Sequence, residues 1–278
     1  MKILVLGYKG MLGRYVYTYL KSQGYEVRGH SREINDVTFY REPQIKALLY
    51  YGHELRPGDV VINCIGVIKP QIEKTGKLRS IATNSTFPHH LANVCEEESL
   101  RLIHVSTDCV FSGKIGLYNE DDIHDCEDVY GKTKSLGEPE KCTVIRTSII
   151  GEEIGTGRSL IEWVKTRKND TALGFTNHKW NGVTCLQLAK IFEDIIVNNK
   201  YWEGVTHIFS PDTLTKEELV RTISDIYELN VQITPTIDVN NMDRTLTTVR
   251  DEYTFNIPSI TQQIQEQKDF YENLNNLL

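Results

Sequence analysis

The sequence lacks any stretch of about 18 consecutive apolar residues, so it offers no candidate for a membrane span. Its one apolar run near the start, in MKILVLGYKG, is too short for a secretory leader and leads straight into glycines. We read that run as a first β-strand. There is no excess of basic residues: 31 Lys and Arg face 38 Asp and Glu, for a net charge of −7. That balance argues against a general nucleic-acid binder but leaves room for a local basic pocket around a phosphorylated small molecule. Paired cysteines are missing too. Cys64, Cys95, Cys109, Cys126, Cys142 and Cys185 form no C-x-x-C pair and stand in no Cys/His cluster with zinc-like spacing. No metal site is therefore expected. Scattered single thiols suit a reducing cytoplasm, each as a buried side chain. The chain also has no internal repeat and no low-complexity linker.

What is present is an ordinary globular composition, 40% hydrophobic and 25% charged over 278 residues. Short apolar runs at 2–6, 26–30, 59–64, 102–106 and 143–147 read as strands. The stretches 11–22, 43–51, 81–97 and 130–138 between them read as helices. Strand and helix alternating in this way predict an α/β fold, a doubly wound parallel sheet of the Rossmann-like kind, over residues 1–150. After Gly151 the rhythm loosens. Helices are expected at 159–168, 185–198, 216–229 and 259–276, with short strands near 171–174, 206–209 and 232–235. Residues 151–278 are expected to form a smaller substrate lobe packed on the first unit, some of its elements returning to the sheet.

The clearest local motif is Gly7-Tyr8-Lys9-Gly10-Met11-Leu12-Gly13, directly after a strand and opening a helix. Gly7 permits a tight turn, Gly10 lets the backbone approach a pyrophosphate, and Gly13 lets the helix pack closely on the sheet. Lys9, Met11 and Leu12 complete this cofactor turn, and backbone N–H groups at the helix start would hold the phosphates. The bland reading is an ordinary glycine-rich turn. At the end of the second strand an NAD site usually places a carboxylate. This chain has His30-Ser31-Arg32 there instead. A hydroxyl at Ser31 and a guanidinium at Arg32 suit a 2′-phosphate, which points to NADPH (NADP+). Against that, Arg32 could be a solvated loop residue, with Glu33 in the NAD role.

Tyr130-Gly131-Lys132-Thr133-Lys134 sets a phenol and an amine on one helix face, about 6 Å apart along the axis. The ammonium of Lys134 is expected to lower the pKa of Tyr130, which then exchanges a proton with a carbonyl oxygen gaining negative charge. The run 101–106 ends in Ser106-Thr107-Asp108, where a doubly wound fold binds its ligands. Thr107 is the candidate to hydrogen-bond the same carbonyl. Its alternative is a plain helix cap. Ser106 is expected to face the sheet or the cofactor.

These residues carry a resemblance. The run STDCVFSGKIGLYNEDDIHDCEDVYGKTKSLGE, from Ser106 to Glu138, is similar to the core of the extended short-chain dehydrogenase/reductase family. Within it the run resembles the dTDP-4-dehydrorhamnose reductases and their relatives acting on UDP-N-acetylamino sugars. The glycine turn, Asn63-Cys64-Ile65-Gly66, Asn84 with Pro88, and Arg146-Thr147 also fit that group. The resemblance is good over residues 1–150, thinner to Leu188, and fades after that. It implies hydride transfer from NADPH to C4 of a 4-keto-6-deoxy sugar nucleotide. Thr107, Tyr130 and Lys134 match the family's catalytic positions. Gly7, Gly10, Gly13, Arg32, Cys64, Gly66 and Lys134 match its cofactor contacts, with Ile65 beside them; Asn84, which matches a helix residue near the active site, and Tyr130 are expected to contact the cofactor as well. Related 4,6-dehydratases carry Asp-Glu after the Thr, whereas this chain has Asp108-Cys109. The missing glutamate removes the base for a C5 proton and disfavours dehydration.

For the substrate's diphosphate the candidates are Arg158, Lys179 and Arg244, with Asp108 beside the reacting carbon and Trp180 stacking on the base or packing the lobe. Each of the last group has a plainer reading as a surface or core residue. The stretch 146–189 leans toward relatives that make a UDP-N-acetyl-L-rhamnosamine-type product from UDP-2-acetamido-2,6-dideoxy-4-hexulose, with dTDP-4-dehydrorhamnose second. A nucleotide-sugar substrate is expected, with no nucleic acid and no membrane; a homodimer stays open. Two rivals remain: an NADP-binding regulatory subunit of the methionine adenosyltransferase β type, and a sugar-nucleotide 4-epimerase.

Overall fold

The computed structural model describes residues 1–153, 157 and 159–275. In chain order the first part holds β1 (Lys2–Leu6), α1 (Met11–Ser22), β2 (Glu26–His30), α2 (Glu42–Ala47), β3 (Val60–Asn63), α3 (Ile72–Thr75), α4 (Lys77–Ile81), α5 (Phe87–Glu97), β4 (Arg101–Val105), α6 (Val129–Ser135) and β5 (Thr143–Arg146). The rest holds β6 (Ile149–Ile150), α7 (Leu160–Lys165), β7 (Thr171–Phe175), β8 (His178–Trp180), β9 (Val183–Thr184), α8 (Cys185–Val197), β10 (Gly204–His207), β11 (Leu214–Thr215), α9 (Lys216–Ile226), β12 (Gln232–Thr236), β13 (Met242–Asp243) and α10 (Ile260–Asn275).

Six parallel strands form the main sheet in the order β10-β5-β4-β3-β1-β2. The period-2 alternation of a strand decides what each side chain meets. Ile3, Val5, Val60, Ile62, Ile103 and Ile145 point to one face, into a core shared with α1 and α8. Leu4, Leu6, Val61, Leu102 and Val144 point to the other, against α2 and α5. Both faces are covered, which is why these strands read as unbroken apolar runs. The chain order reverses between β1 and β3, so a crevice opens beyond the carboxyl ends of these strands.

The five expected strands of the first part are all present and all in this sheet. The expected helix at 81–97 instead begins at Lys77 and widens into an i→i+5 turn at 82–86 before Phe87. Pro88 has no N–H to donate back into the preceding turn, and the widened turn at 82–86 stands where that bond is missing. The helix carrying Tyr130 stops at Ser135, short of the expected 138, so Glu138 lies outside it. From the second half, β10 joins the main sheet beside β5, and α8 packs against α1. The remaining elements gather around a separate apolar cluster that includes Ile161, Val164, Leu219, Ile223 and Ile264. Among the described residues no helix is long and apolar enough to cross a membrane.

Candidate active site

The glycine turn is built as the motif requires. Gly7 has φ +79°, and its N–H donates to His30 O at 2.8 Å, tying the end of β1 to the end of β2. A Cβ on Gly13 would sit 2.3 Å from Gly7 O, so only glycine lets α1 approach the turn this closely. Gly10 caps α1 without a side-chain acceptor, which leaves the N–H groups of the first turn aimed outward. On the other side of the turn the backbone of Cys64 and the side chain of Ile65 lie 3.2 Å from where a Gly7 Cβ would be. Ser31 is buried, and its Oγ has no hydrogen-bond partner. Arg32 is exposed and makes no side-chain hydrogen bond or ion pair among the described residues. Lys9 forms an ion pair with Glu33 across the mouth of the turn. A free hydroxyl, a free guanidinium and a lysine on one rim fit a phosphorylated ribose.

Asn84 departs from expectation. It was read as a cofactor contact, yet it is fully buried with its amide spent. Its Oδ1 accepts from Val67 N at 2.8 Å, and its Nδ2 donates to Val67 O at 3.0 Å and Thr133 Oγ1 at 3.1 Å. It braces the loop that contains Gly66 against α6. A Cβ on Gly137 would fall 1.7 Å from Asn84 O, so the end of α6 is pressed onto the same residue.

The Tyr130 helix starts with Asp128, whose carboxylate accepts from Gly131 N at 2.9 Å. Gly131 is small for a reason: a Cβ there would meet Cys109 O at 2.3 Å. This close approach brings the Tyr130 phenol against the Thr107 hydroxyl. Thr107 Oγ1 also accepts from Cys109 N at 3.1 Å, as the capping reading expects. Lys134 is buried, and its Nζ donates to Val105 O at 2.8 Å. Burial pushes its pKa down to about 8, while Glu138 and Cys64 pull the other way.

The expected effect of Lys134 on Tyr130 is not found. Burial pushes the phenol up, the Cys109 thiol and the Asp108 and Asp128 carboxyls add to this, and the Thr107 hydroxyl opposes them. The amine is engaged with the strand, not with the phenol. Ser106 is also placed differently from expectation, for its Oγ donates to Glu138.

Of the substrate candidates, Asp108 and Arg244 come to this site. Asp108 is buried and pushed up by burial, with the Arg244 guanidinium, Thr107 and Ser148 pulling it back. Arg244 Nε donates to Phe111 O at 2.8 Å, and its Nη1 lies 3.8 Å from Cys109 Sγ. Trp180 donates through its indole N–H to Ser148 Oγ at 2.9 Å, one side chain away from Asp108. Lys179 is half exposed and paired with Asp243 at 3.0 Å, so its charge is already answered. Arg158 lies outside the described residues. Sequence reasoning missed the segment that faces Tyr130 from across a cavity of about 480 Å³, lined by Lys69, Ile72, Lys77, Val129 and Tyr130. Lys69 spans its mouth to Asp128 at 3.0 Å. No pattern marks that segment, whose residues meet Tyr130 only in the fold. Among the described residues no group of three His, Cys, Asp or Glu side chains could hold a metal ion.

Comparison with known proteins completes the picture. Residues 1–243 match the family model described as the RmlD substrate binding domain. The chain belongs to the RmlD substrate binding domain family. A dTDP-4-dehydrorhamnose reductase of Mycobacterium tuberculosis is 30% identical over 172 residues, 58% of this chain and 53% of that one. The alignment thus spans about half the length of that relative. The methionine adenosyltransferase 2 subunit beta of Xenopus laevis is 27% identical over 252 residues, 82% of this chain and 72% of that one. Among solved structures, a dTDP-4-dehydrorhamnose reductase of Bacillus anthracis in complex with NADP superposes with a TM-score of 0.79 at 18% identity, covering 98% of this chain and 99% of that one. At that identity the likeness speaks for the α/β fold, with its six-stranded parallel sheet.

Proposed function

We propose that this RmlD-family chain is an NADPH-dependent reductase of the C4 keto group of a nucleotide-linked 4-keto-6-deoxy sugar, serving deoxysugar synthesis for surface glycans. The observation that carries the reading is the Tyr130 phenol held against the Thr107 hydroxyl, with Lys134 one turn on, at the carboxyl end of β4. The rim formed by Gly7, Gly10, Gly13, Ser31, Arg32 and Lys9 would hold the dinucleotide, which supplies the hydride when bound. Thr107 and Tyr130 would grip the keto oxygen. Because burial keeps the phenol protonated at neutral pH, Tyr130 arrives loaded and gives its proton to the oxygen as it becomes an alkoxide. Lys134 would hold ribose hydroxyls, and its burial makes its charge sensitive to pH. Arg244 would face the substrate's phosphates from beside Asp108. The sugar would enter through the cavity at Lys69 and Lys77.

UDP-2-acetamido-2,6-dideoxy-4-hexulose is the favoured substrate, with dTDP-4-dehydrorhamnose second. The test is NADPH oxidation with the two substrates side by side. Turnover with either supports the reading, and the ratio of kcat/KM ranks the two substrates. A chain that oxidises NADPH with neither is not this reductase. The long alignment with the methionine adenosyltransferase subunit favours a second reading, a regulator that binds NADP(H) without turnover. That protein would bind NADPH, fail both substrates, and change the rate of a partner enzyme. A 4-epimerase would instead purify with NAD bound.

A further inference from the structure

Arg146 closes β5 in the middle of the molecule and is 2% exposed, although it carries a permanent charge. A buried guanidinium has five donors to satisfy and one countercharge to find. Its countercharge is Glu138, 6% exposed, reached by Nε at 3.1 Å and Nη2 at 2.7 Å in a two-toothed fork. Nη1 meets His207 Nε2 at 2.7 Å and Nη2 meets His124 Nε2 at 2.8 Å. Arginine cannot accept, so both imidazoles must accept through Nε2 and carry their proton on Nδ1. The far contacts agree. His207 Nδ1 lies 2.8 Å from Thr247 O, and His124 Nδ1 lies 2.6 Å from Ser135 Oγ.

Three arms leave this one charge. The first runs through Glu138 to the Ser106 hydroxyl, the residue before Thr107. The second runs through His124 to Ser135, the residue after Lys134. The third runs through His207 to Thr247 O, on the segment whose Thr245 O accepts from Tyr118 N at 2.9 Å and whose Arg244 reaches Phe111 O. The Phe111 ring lies 5.2 Å below the guanidinium and stacks on Tyr118 at 4.3 Å. The first arm ends beside Thr107, proposed to grip the keto oxygen, and the second beside Lys134, proposed to hold the ribose. The third ends on the segment that presents Arg244.

We propose that Arg146 is a positioning residue. It touches no substrate but sets the register of Thr107 against Tyr130 and Lys134 through Glu138 and His124, and sets Arg244 through His207. A guanidinium suits this because its flat fork fixes directions in one plane, whereas a lysine ammonium meets fewer partners and fixes no plane. In kinetic terms the proposal rests on the reductase reading above. In structural terms it stands on the ligand-free protein.

The arms can be cut one at a time without stranding the charge. Ser106→Ala removes the first arm, and kcat is expected to fall about tenfold with KM for the sugar nucleotide unchanged, because the error falls on the reacting groups. Ser106→Thr, which keeps the hydroxyl, restores kcat. His207→Asn keeps a donor for Thr247 O but loses Arg146, and KM is expected to rise about tenfold with kcat held within about twofold. Arg146→Lys shows both defects. Hydrogen exchange of the ligand-free proteins, read by mass spectrometry, is expected to quicken over 242–249 in His207→Asn and Arg146→Lys and not in Ser106→Ala. Equal losses of kcat and KM in both arm variants, wild-type kinetics in Arg146→Lys, or unchanged exchange in His207→Asn would each overturn the clamp. If the wild-type chain turns over no 4-keto sugar nucleotide, the reductase reading fails, and the exchange result alone decides the clamp.

Discussion

A phenol held high and an amine held low stand one helical turn apart at the proposed site. Tyr130 stays protonated across the neutral range, so replacing it with Phe removes the proton donor and little else. Tyr130→Phe is expected to lower kcat by about 10²–10⁴-fold while NADPH binding, followed by nicotinamide fluorescence, stays within about twofold. Near-normal turnover would remove Tyr130 from the proton-donor role. Lys134 titrates at about 8, depressed by its burial. It is a cation below that value and neutral above it. If the ammonium is the working form, kcat/KM falls as pH rises through about 8, approaching tenfold per unit. A profile flat to about pH 9.5 would show that the charge is not required. At the cofactor rim, Arg32 is exposed and unpaired among the described residues, so Arg32→Ala is expected to leave fold stability nearly unchanged. It is expected to weaken NADPH about 10-fold or more while leaving NADH within about twofold. Equal losses would return the cofactor question to Glu33, which faces Lys9 across the turn.

At the scale of elements, close backbone approach does the positioning. Gly13 lets α1 lean on Gly7, Gly131 lets α6 lean on Cys109, and Gly137 lets the end of α6 lean on Asn84. The first two bring a helix against the segment that follows a strand end, and the third brings the end of α6 against the helical turn at 82–86. Gly13→Ala puts a methyl 2.3 Å from a carbonyl oxygen, so turn or helix must move. The expected result is a loss of about 1–3 kcal/mol of stability by denaturant titration. NADPH and NADH affinities should fall together, because the phosphate cradle is common to both. Selective loss of one cofactor would contradict that account. The early end of α6 at Ser135 is part of the same design: it frees Glu138 to leave the helix axis and meet Arg146.

Across the whole molecule, a second buried carboxylate joins parts distant in sequence. Glu152 accepts from the phenols of Tyr15, on α1, and Tyr227, just past α9, with Lys165 3.9 Å away. Tyr227→Phe leaves that carboxylate short of one donor, and a cost of about 1–3 kcal/mol is expected in thermal or urea unfolding. The same variant should leave kcat/KM close to wild type, since neither phenol faces Tyr130. A kinetic defect without a stability defect would place this joint in the active site instead.

The linear order was enough to determine the five strands of the first part and the glycine turn between β1 and α1, and to single out Thr107, Tyr130 and Lys134 as the proposed trio. Period-2 and period-3.6 patterns and short spacings such as Tyr130 to Lys134 are local, and local spacing survives in any fold of the same elements. Tertiary structure alone decided the rest. Glu138 lies 8 residues from Arg146, but His124 and His207 lie 22 and 61 residues from it, and no spacing rule links the four; His207 reaches Arg146 because β5 and β10 are neighbours. Asn84 has the right place for a cofactor contact, yet packing against α6 consumed its amide. The pKa of Tyr130 followed burial instead of the neighbouring amine, because desolvation is set by everything that surrounds a group and not by the residue one turn away.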